Sequence, residues 1–152
     1  MTVRVDHGNG TNRPWPDRST PCRLDRAGRR RDTVRMKARL VDFGVLELEG
    51  ARYTHDVVID GGRIRRRHKG RSKSLRDRYG HTPLSMLEDI PWGGRSLIIG
   101  TGCDGSLPVD PEVGAEARRR GVMLEAVPTR EACRRLADLK ARDVYAILHV
   151  TC

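Results

Sequence analysis

The sequence predicts an α+β fold: a single three-layer domain with a mixed central β-sheet, flanking helices and an N-terminal antiparallel β-meander. Two observations carry that prediction. Residues 45–67 read as consecutive strands joined by tight turns, and from residue 95 onward strands alternate with helices, the pattern of βαβ crossovers and hence of parallel pairing. A chain of 152 residues with 1 Phe, 2 Trp and 3 Tyr is long enough for one real core, built from Val, Leu, Ile and Ala.

From Met1 to about Met36 the chain is polar, broken by Gly and Pro, and has neither a period of two nor of 3.6, so it cannot bury enough apolar surface to offset the entropy of ordering. Residues 1–37 are expected to be a disordered basic leader, or the product of a misassigned start codon, and residues 38–152 the domain. Asp6, Asp17, Asp25 and Asp32, with Pro14, Pro16 and Pro21, fit badly with an acidic-poor mitochondrial presequence.

Order is expected to begin near Leu40. Val45-Leu-Glu-Leu-Glu49 alternates apolar with acidic, Gly50-Ala51 turns the chain, and Arg52 to Ile59 returns as a second strand. Asp60-Gly-Gly62 supplies the positive-φ residues of a hairpin leading into Arg63-Ile-Arg-Arg-Arg67. Gly70 to Gly80 has no periodicity and is expected to be a mobile loop. Thr82-Pro83 pairs a capping side chain with a proline at the first helical position, predicting a helix with Leu84, Leu87 and Ile90 on one face, ended by Pro91-Trp-Gly-Gly94. Arg95 to Ile99 is a short unbroken apolar strand, the kind covered on both faces. Asp110-Pro111 repeats the cap-then-proline signal for a helix through Arg120, closed by Gly121. Val122 to Val127 is a strand, Thr129 is expected to cap a helix over 130–140, and Val144 to Val150 is the last strand.

The net charge is +10, from 30 Lys and Arg against 20 Asp and Glu. It is concentrated in residues 1–37, with ten basic and four acidic side chains, and in Arg63 to Arg78, with nine and one, while residues 79–152 are nearly neutral with nine and ten. Arg63, Arg65, Arg66, Arg67, Lys69, Arg71 and Lys73 are therefore the candidates for an anion-binding surface. The simpler reading is a solvated loop, because 26 of the 30 basic residues are Arg, as a GC-rich coding sequence would give, and Tyr79 alone stands at the edge as a stacking aromatic. Nucleic acid is accordingly a less favoured partner than another protein. No apolar run approaches the roughly 18–20 residues of a membrane span, which points to a soluble, cytoplasmic protein. Cys22, Cys103, Cys133 and Cys152 lack the spacing of a zinc site or a disulfide framework and read as reduced thiols.

Gly100-Thr-Gly-Cys-Asp-Gly105 matches G-x-G-x-x-G after a strand, and Glu125 stands about twenty residues on, where a ribose-binding acid would lie. Dinucleotide binding needs the helix to begin inside the motif, with its free N–H groups on the pyrophosphate. Pro108 delays the helix here, so a structural turn with close backbone packing is the better reading. Gly100, Thr101, Gly102, Cys103 and Gly105 remain candidate ligand-binding residues, with Cys103 as a candidate thiol nucleophile that has no base assigned by the sequence. His55-Asp56 and His149 to Cys152 contain reactive atoms on strand patterns, where a histidine is more often packed and hydrogen-bonded. No cofactor, metal site or catalytic set is assigned.

Tyr53-Thr-His-Asp-Val-Val-Ile-Asp-Gly-Gly-Arg63, Gly80-His-Thr-Pro-Leu84, Leu97-Ile-Ile-Gly-Thr-Gly102, Leu107-Pro-Val109, Gly121-Val-Met-Leu-Glu125, Pro128-Thr129 and Leu148-His-Val-Thr-Cys152, in that order, resemble the Mth-nine-three-eight domain family over about residues 40–152. The resemblance implies a compact three-layer α+β fold and carries no settled enzymatic activity and no catalytic residue. It implies an assembly or interaction role, as in the family's adipogenesis-associated animal protein and mitochondrial complex I assembly factor. Two features depart from many relatives: Cys103, where they have Gln, and the strongly basic segment after Arg63.

Overall fold

The structure is a computed structural model and describes residues 34–152. Nearly all of the expected leader lies outside the described residues. Its last part does not: Met36 is buried, and its N–H donates to the Leu139 carbonyl, so order starts ahead of Leu40.

Two sheets divide the predicted meander. β1 (Ala38–Asp42), β2 (Val45–Leu48) and β3 (Ala51–Tyr53) form a small antiparallel sheet. β4 (Val57–Asp60) and β5 (Arg63–Arg66) belong to the central sheet, with β6 (Ser96–Thr101), β7 (Met123–Val127) and β8 (Tyr145–His149), in the order β5-β4-β8-β6-β7. The expected single strand from Arg52 to Ile59 is thus broken at Thr54–Asp56, where the chain leaves one sheet for the other. Gly61 and Gly62, at φ 58° and 82°, make the two-residue turn between β4 and β5 that Asp60-Gly-Gly predicts. β4 pairs antiparallel with β5 and β8, whereas β6 pairs parallel with β8 and β7, which makes the sheet mixed.

Alternation along the central strands fills both faces. Val57, Ile59, Ile98, Ala146 and Leu148 meet the small sheet and α3 (Thr129–Ala137). Val58, Leu97, Ile99 and Ile147 point the other way, onto α2 (Pro111–Arg120) and the segment carrying Leu84, Ile90 and Leu107. These are the three layers. Each fully buried Leu or Ile contributes about 1.5–3 kcal/mol relative to exposure.

The cap signals of α2 are realised: the Asp110 carboxylate accepts the Glu112 N–H at 2.9 Å, and Gly121 ends the helix at φ 67°. Thr129 does not cap α3; Pro128 holds that position, and the Thr129 side chain is buried instead. No helix forms from Pro83 to Ile90. Leu84 takes an extended bridge to Val109, donating to the Pro108 carbonyl and accepting from Asp110 N–H, both at 2.9 Å, so its backbone is committed to the distant 108–110 segment and not to the next turn. Leu87, one of the three residues of the expected apolar face, is exposed. Gly70 to Gly80 is likewise not a structureless loop: it contains a 3₁₀ turn (Arg71–Leu75) and the short helix α1 (Arg76–Tyr79). Polar side chains hold it, with Ser72 buried and the Tyr79 hydroxyl donating to Asp110 at 2.9 Å.

Candidate functional site

The break between β3 and β4 places Asp56 inside the molecule, where a lone carboxylate would be very costly. Its partners come from two distant segments. His149 at the end of β8 presents Nδ1 2.9 Å from both carboxylate oxygens, Val150 N–H donates to Oδ1 at 3.2 Å, and Arg67 Nη1 donates to Oδ2 at 3.1 Å. Lys69 Nζ adds a longer contact at 3.5 Å. Burial works against the charge of Asp56, but the hydrogen bond and charge of His149, with Lys69 and Arg67, outweigh it and hold the carboxyl well below the usual carboxylate range.

Arg67 joins this carboxylate to a second one. Its Nε and Nη2 each donate to Glu88 at 2.7 Å, a side-on bidentate pair, while Nη2 also donates to the Pro83 carbonyl at 3.1 Å. That commitment of the Pro83 carbonyl is a further reason the expected helix cannot start there. Ser72 Oγ donates to Glu88 at 2.6 Å and lies 2.7 Å from Ser85 Oγ, which anchors the 3₁₀ turn. Among the described residues no buried side-chain nitrogen or oxygen is left without a hydrogen-bond partner.

This polar floor underlies an open cleft of about 880 Å³, walled by Thr54, His55, Arg66, His68, Arg71, Lys73, Leu87 and Thr151 among others. The expected anion-binding residues separate here. Arg66, Lys69, Arg71 and Lys73 line the cleft as exposed side chains, and among the described residues Arg66, Arg71 and Lys73 make no ion pair. Arg67 also lines it, but is 4% exposed and spent on Asp56 and Glu88. Arg65 pairs with Asp89 at 2.9 Å, and Arg63 stands at the start of β5, outside the cleft lining.

The glycine loop follows β6. A Cβ on Gly100 would lie 2.8 Å from Thr129 Oγ1 and 2.9 Å from Leu148 Cδ2, and one on Gly102, at φ 103°, would overlap the Cys152 carbonyl. The protein's own chain therefore packs closely against the backbone of Gly100 and Gly102, and α2 begins only at Pro111, well after the loop. Thr101 is buried, bonded from its carbonyl to Leu107 N–H, and Gly105 forms the exposed turn at φ 72°. Thr129 ties the loop to β8: its hydroxyl accepts Gly102 N–H at 2.8 Å and donates to the His149 carbonyl at 2.6 Å. Cys103 is half-buried, its N–H on the Thr151 carbonyl at 2.6 Å and its Sγ 3.7 Å from the Val150 carbonyl. The imidazole of His149 meets Thr151 and Cys152, which spacing alone did not single out. Asp56 and His149 are 93 residues apart, and each gave only the weak signal of a polar residue on a strand. Among the described residues no group of three or more His, Cys, Asp or Glu is arranged to hold a metal ion, and no helix is long and apolar enough to cross a membrane.

Comparison with known proteins agrees with the fold. A family model described as a protein of unknown function, DUF498/DUF598, matches residues 39–149. The crystal structure of a conserved hypothetical protein, PH1505 from Pyrococcus horikoshii OT3, is similar at 31% identity over 77% of this chain and 100% of that one, with a TM-score of 0.58. The solved structure of MT938 is similar at 26% identity over 77% of this chain and 99% of that one, with a TM-score of 0.55. Among curated proteins none matches the chain.

Proposed function

Given that the chain belongs to the DUF498/DUF598 family of proteins of unknown function, we propose that it is a non-enzymatic binding domain whose basic cleft receives an acidic segment of a partner protein. One observation carries the reading. Arg66, Arg71 and Lys73 converge on a single cleft without an ion-pair partner among the described residues, above a floor whose charges are mutually neutralised. Unpaired cations around a preformed concavity favour an anionic ligand, by attraction during encounter and by charge-assisted hydrogen bonds once docked. A protein segment suits the lining better than a nucleic acid does. Leu87 offers an apolar contact at the rim, and the lining contains no Phe, Tyr or Trp for bases to stack on. Free thiols at Cys103, Cys133 and Cys152 are consistent with a reducing, cytoplasmic setting.

The test is fluorescence anisotropy with a labelled twelve-residue acidic peptide rich in Glu and Leu, a single-stranded oligonucleotide and a basic control peptide. The reading expects the acidic peptide to bind, to weaken as salt rises, and to lose about tenfold in affinity in Arg66→Gln/Arg71→Gln/Lys73→Gln, at roughly 0.5 kcal/mol for each exposed ion pair. Equal affinity of the triple variant, or preference for the oligonucleotide, would overturn it.

A further inference from the structure

A second chemistry stands apart from the basic rim, where β6 and β8 end side by side. The two βα units of the central sheet run from β6 through α2 to β7 and from β7 through α3 to β8, and β7 and β8 lie on opposite sides of β6. The helices of those units pack on opposite faces of the sheet. The carboxyl ends of β6 and β8 therefore mark the topological switch point, the place where open α/β sheets build their sites. Here that place holds Cys103, His149, Thr151 and Cys152.

His149 is oriented from below. In the neutral form of His149, a ring N–H on Nδ1 against the Asp56 carboxylate leaves the lone pair on Nε2. Nε2 faces two protic groups, the Thr151 hydroxyl at 3.1 Å and the Cys152 thiol at 3.8 Å, and both residues are half-buried within reach of solvent. Of the two, the thiol is by far the stronger acid, since an ordinary cysteine ionises near 8.5 and an alcohol does not ionise in water at neutral pH. The charged groups around the ring are Asp56 from the β3–β4 link, and behind it Arg67 and Lys69 from the segment after β5. From the β6 loop, Cys103 Sγ lies 3.7 Å from the Val150 carbonyl.

We propose that Cys152 is a covalent modification site, a thiol deprotonated by the Asp56-oriented His149 that attacks the sulfur of a small-molecule disulfide. The Cys152 proton moves to Nε2, and the thiolate forms a bond to one sulfur of the disulfide. The S–S bond breaks, and the departing thiolate takes the proton from the imidazolium, so that one mixed disulfide and one free thiol result. Thr151 holds Nε2 in the resting state and restrains the reaction. Cys133 supplies an internal contrast: buried among apolar side chains without a base, its thiol is pushed up to about 11.

The full chain, reduced and desalted, is treated with iodoacetamide between pH 5.5 and 9, and each cysteine is quantified by peptide mass mapping, with free glutathione as reference thiol. At pH 6.5 Cys152 is expected to react at least tenfold faster than the reference, and Cys133 not at all. Thr151→Val, which frees Nε2 without touching the core, is expected to raise the Cys152 rate several-fold, and His149→Gln to bring it to the reference value. Oxidised glutathione is expected to leave its adduct on Cys152. A Cys152 rate that follows the reference across the pH range and is unmoved by Thr151→Val, or no adduct on Cys152, would overturn the proposal. Thr151→Val and the pH profile decide the matter even if His149→Gln fails to fold.

Discussion

Arg67 and Arg71 lie four positions apart in one basic run, and they have opposite fates. Arg67 is 4% exposed, with Nε, Nη1 and Nη2 all donating to Asp56, Glu88 or the Pro83 carbonyl. Arg71 is exposed at the rim of the same cleft and has no ion pair among the described residues. One is a structural element joining three segments of the fold, and the other is free for a ligand. Charge alone does not assign a role; the acids brought within reach by the fold do.

The largest effect that would sharpen this contrast is on the floor. Arg67→Ala leaves Glu88 buried without its cation and strips Asp56 of one, and is expected to cost about 3–5 kcal/mol, read as a fall in the urea midpoint. That is a large share of the roughly 5–15 kcal/mol that holds a domain folded. Arg67→Met with Glu88→Leu is expected to recover part of it, because no buried Glu88 carboxylate is then left without its cation, while Asp56 keeps His149 and Lys69. A loss below 1 kcal/mol for Arg67→Ala would erase the distinction between floor and rim.

Acid acts on the same floor more gradually. The folded-state value of Asp56 lies below that of the unfolded chain, about 3.9. Its contribution to stability is therefore whole above about pH 4 and is lost as pH falls through the range below, where the unfolded state binds the proton first. Urea midpoints measured from pH 5 to 2 are expected to fall more steeply in the parent than in Asp56→Asn, which starts lower.

The sequence made the parts of this molecule legible wherever the cause is local. Asp110-Pro111 with Gly121 marks α2 because cap, proline and positive-φ glycine act within a few residues, and Leu97-Ile-Ile marks β6 because a strand covered on both faces needs nothing but apolar side chains. The misreadings have distant causes. The helix expected after Thr82 is lost to Arg67 and to the 108–110 segment, and the order of residues 71–79 comes from Ser72 on Glu88 and Tyr79 on Asp110. For the site, the basic run is visible in composition, but the separation of Arg67 from its neighbours needs Asp56 and Glu88 in place. His149 and Asp56, 93 residues apart, meet only because β4 and β8 pair.

Ser72→Ala tests how tightly floor and rim are joined. It removes the hydroxyl that donates to Glu88 and contacts Ser85, and is expected to cost about 1–2 kcal/mol while loosening the turn that carries Arg71 and Lys73. Faster amide exchange confined to residues 70–76 would register that loosening. The smallest effect on stability belongs to the rim itself. Arg71→Gln/Lys73→Gln removes two exposed charges with no ion pair among the described residues, so the urea midpoint should move by no more than about 0.5 kcal/mol, and slightly upward if their mutual repulsion dominates. The same variant should still weaken the acidic peptide, most strongly at low salt, where attraction between exposed charges is least screened. Stability and binding would then respond to different arginines of one run; were Arg71→Gln/Lys73→Gln to destabilise the fold as Arg67→Ala does, that part of the rim would be structural and Arg66 alone would be left of the three cations proposed to meet a partner.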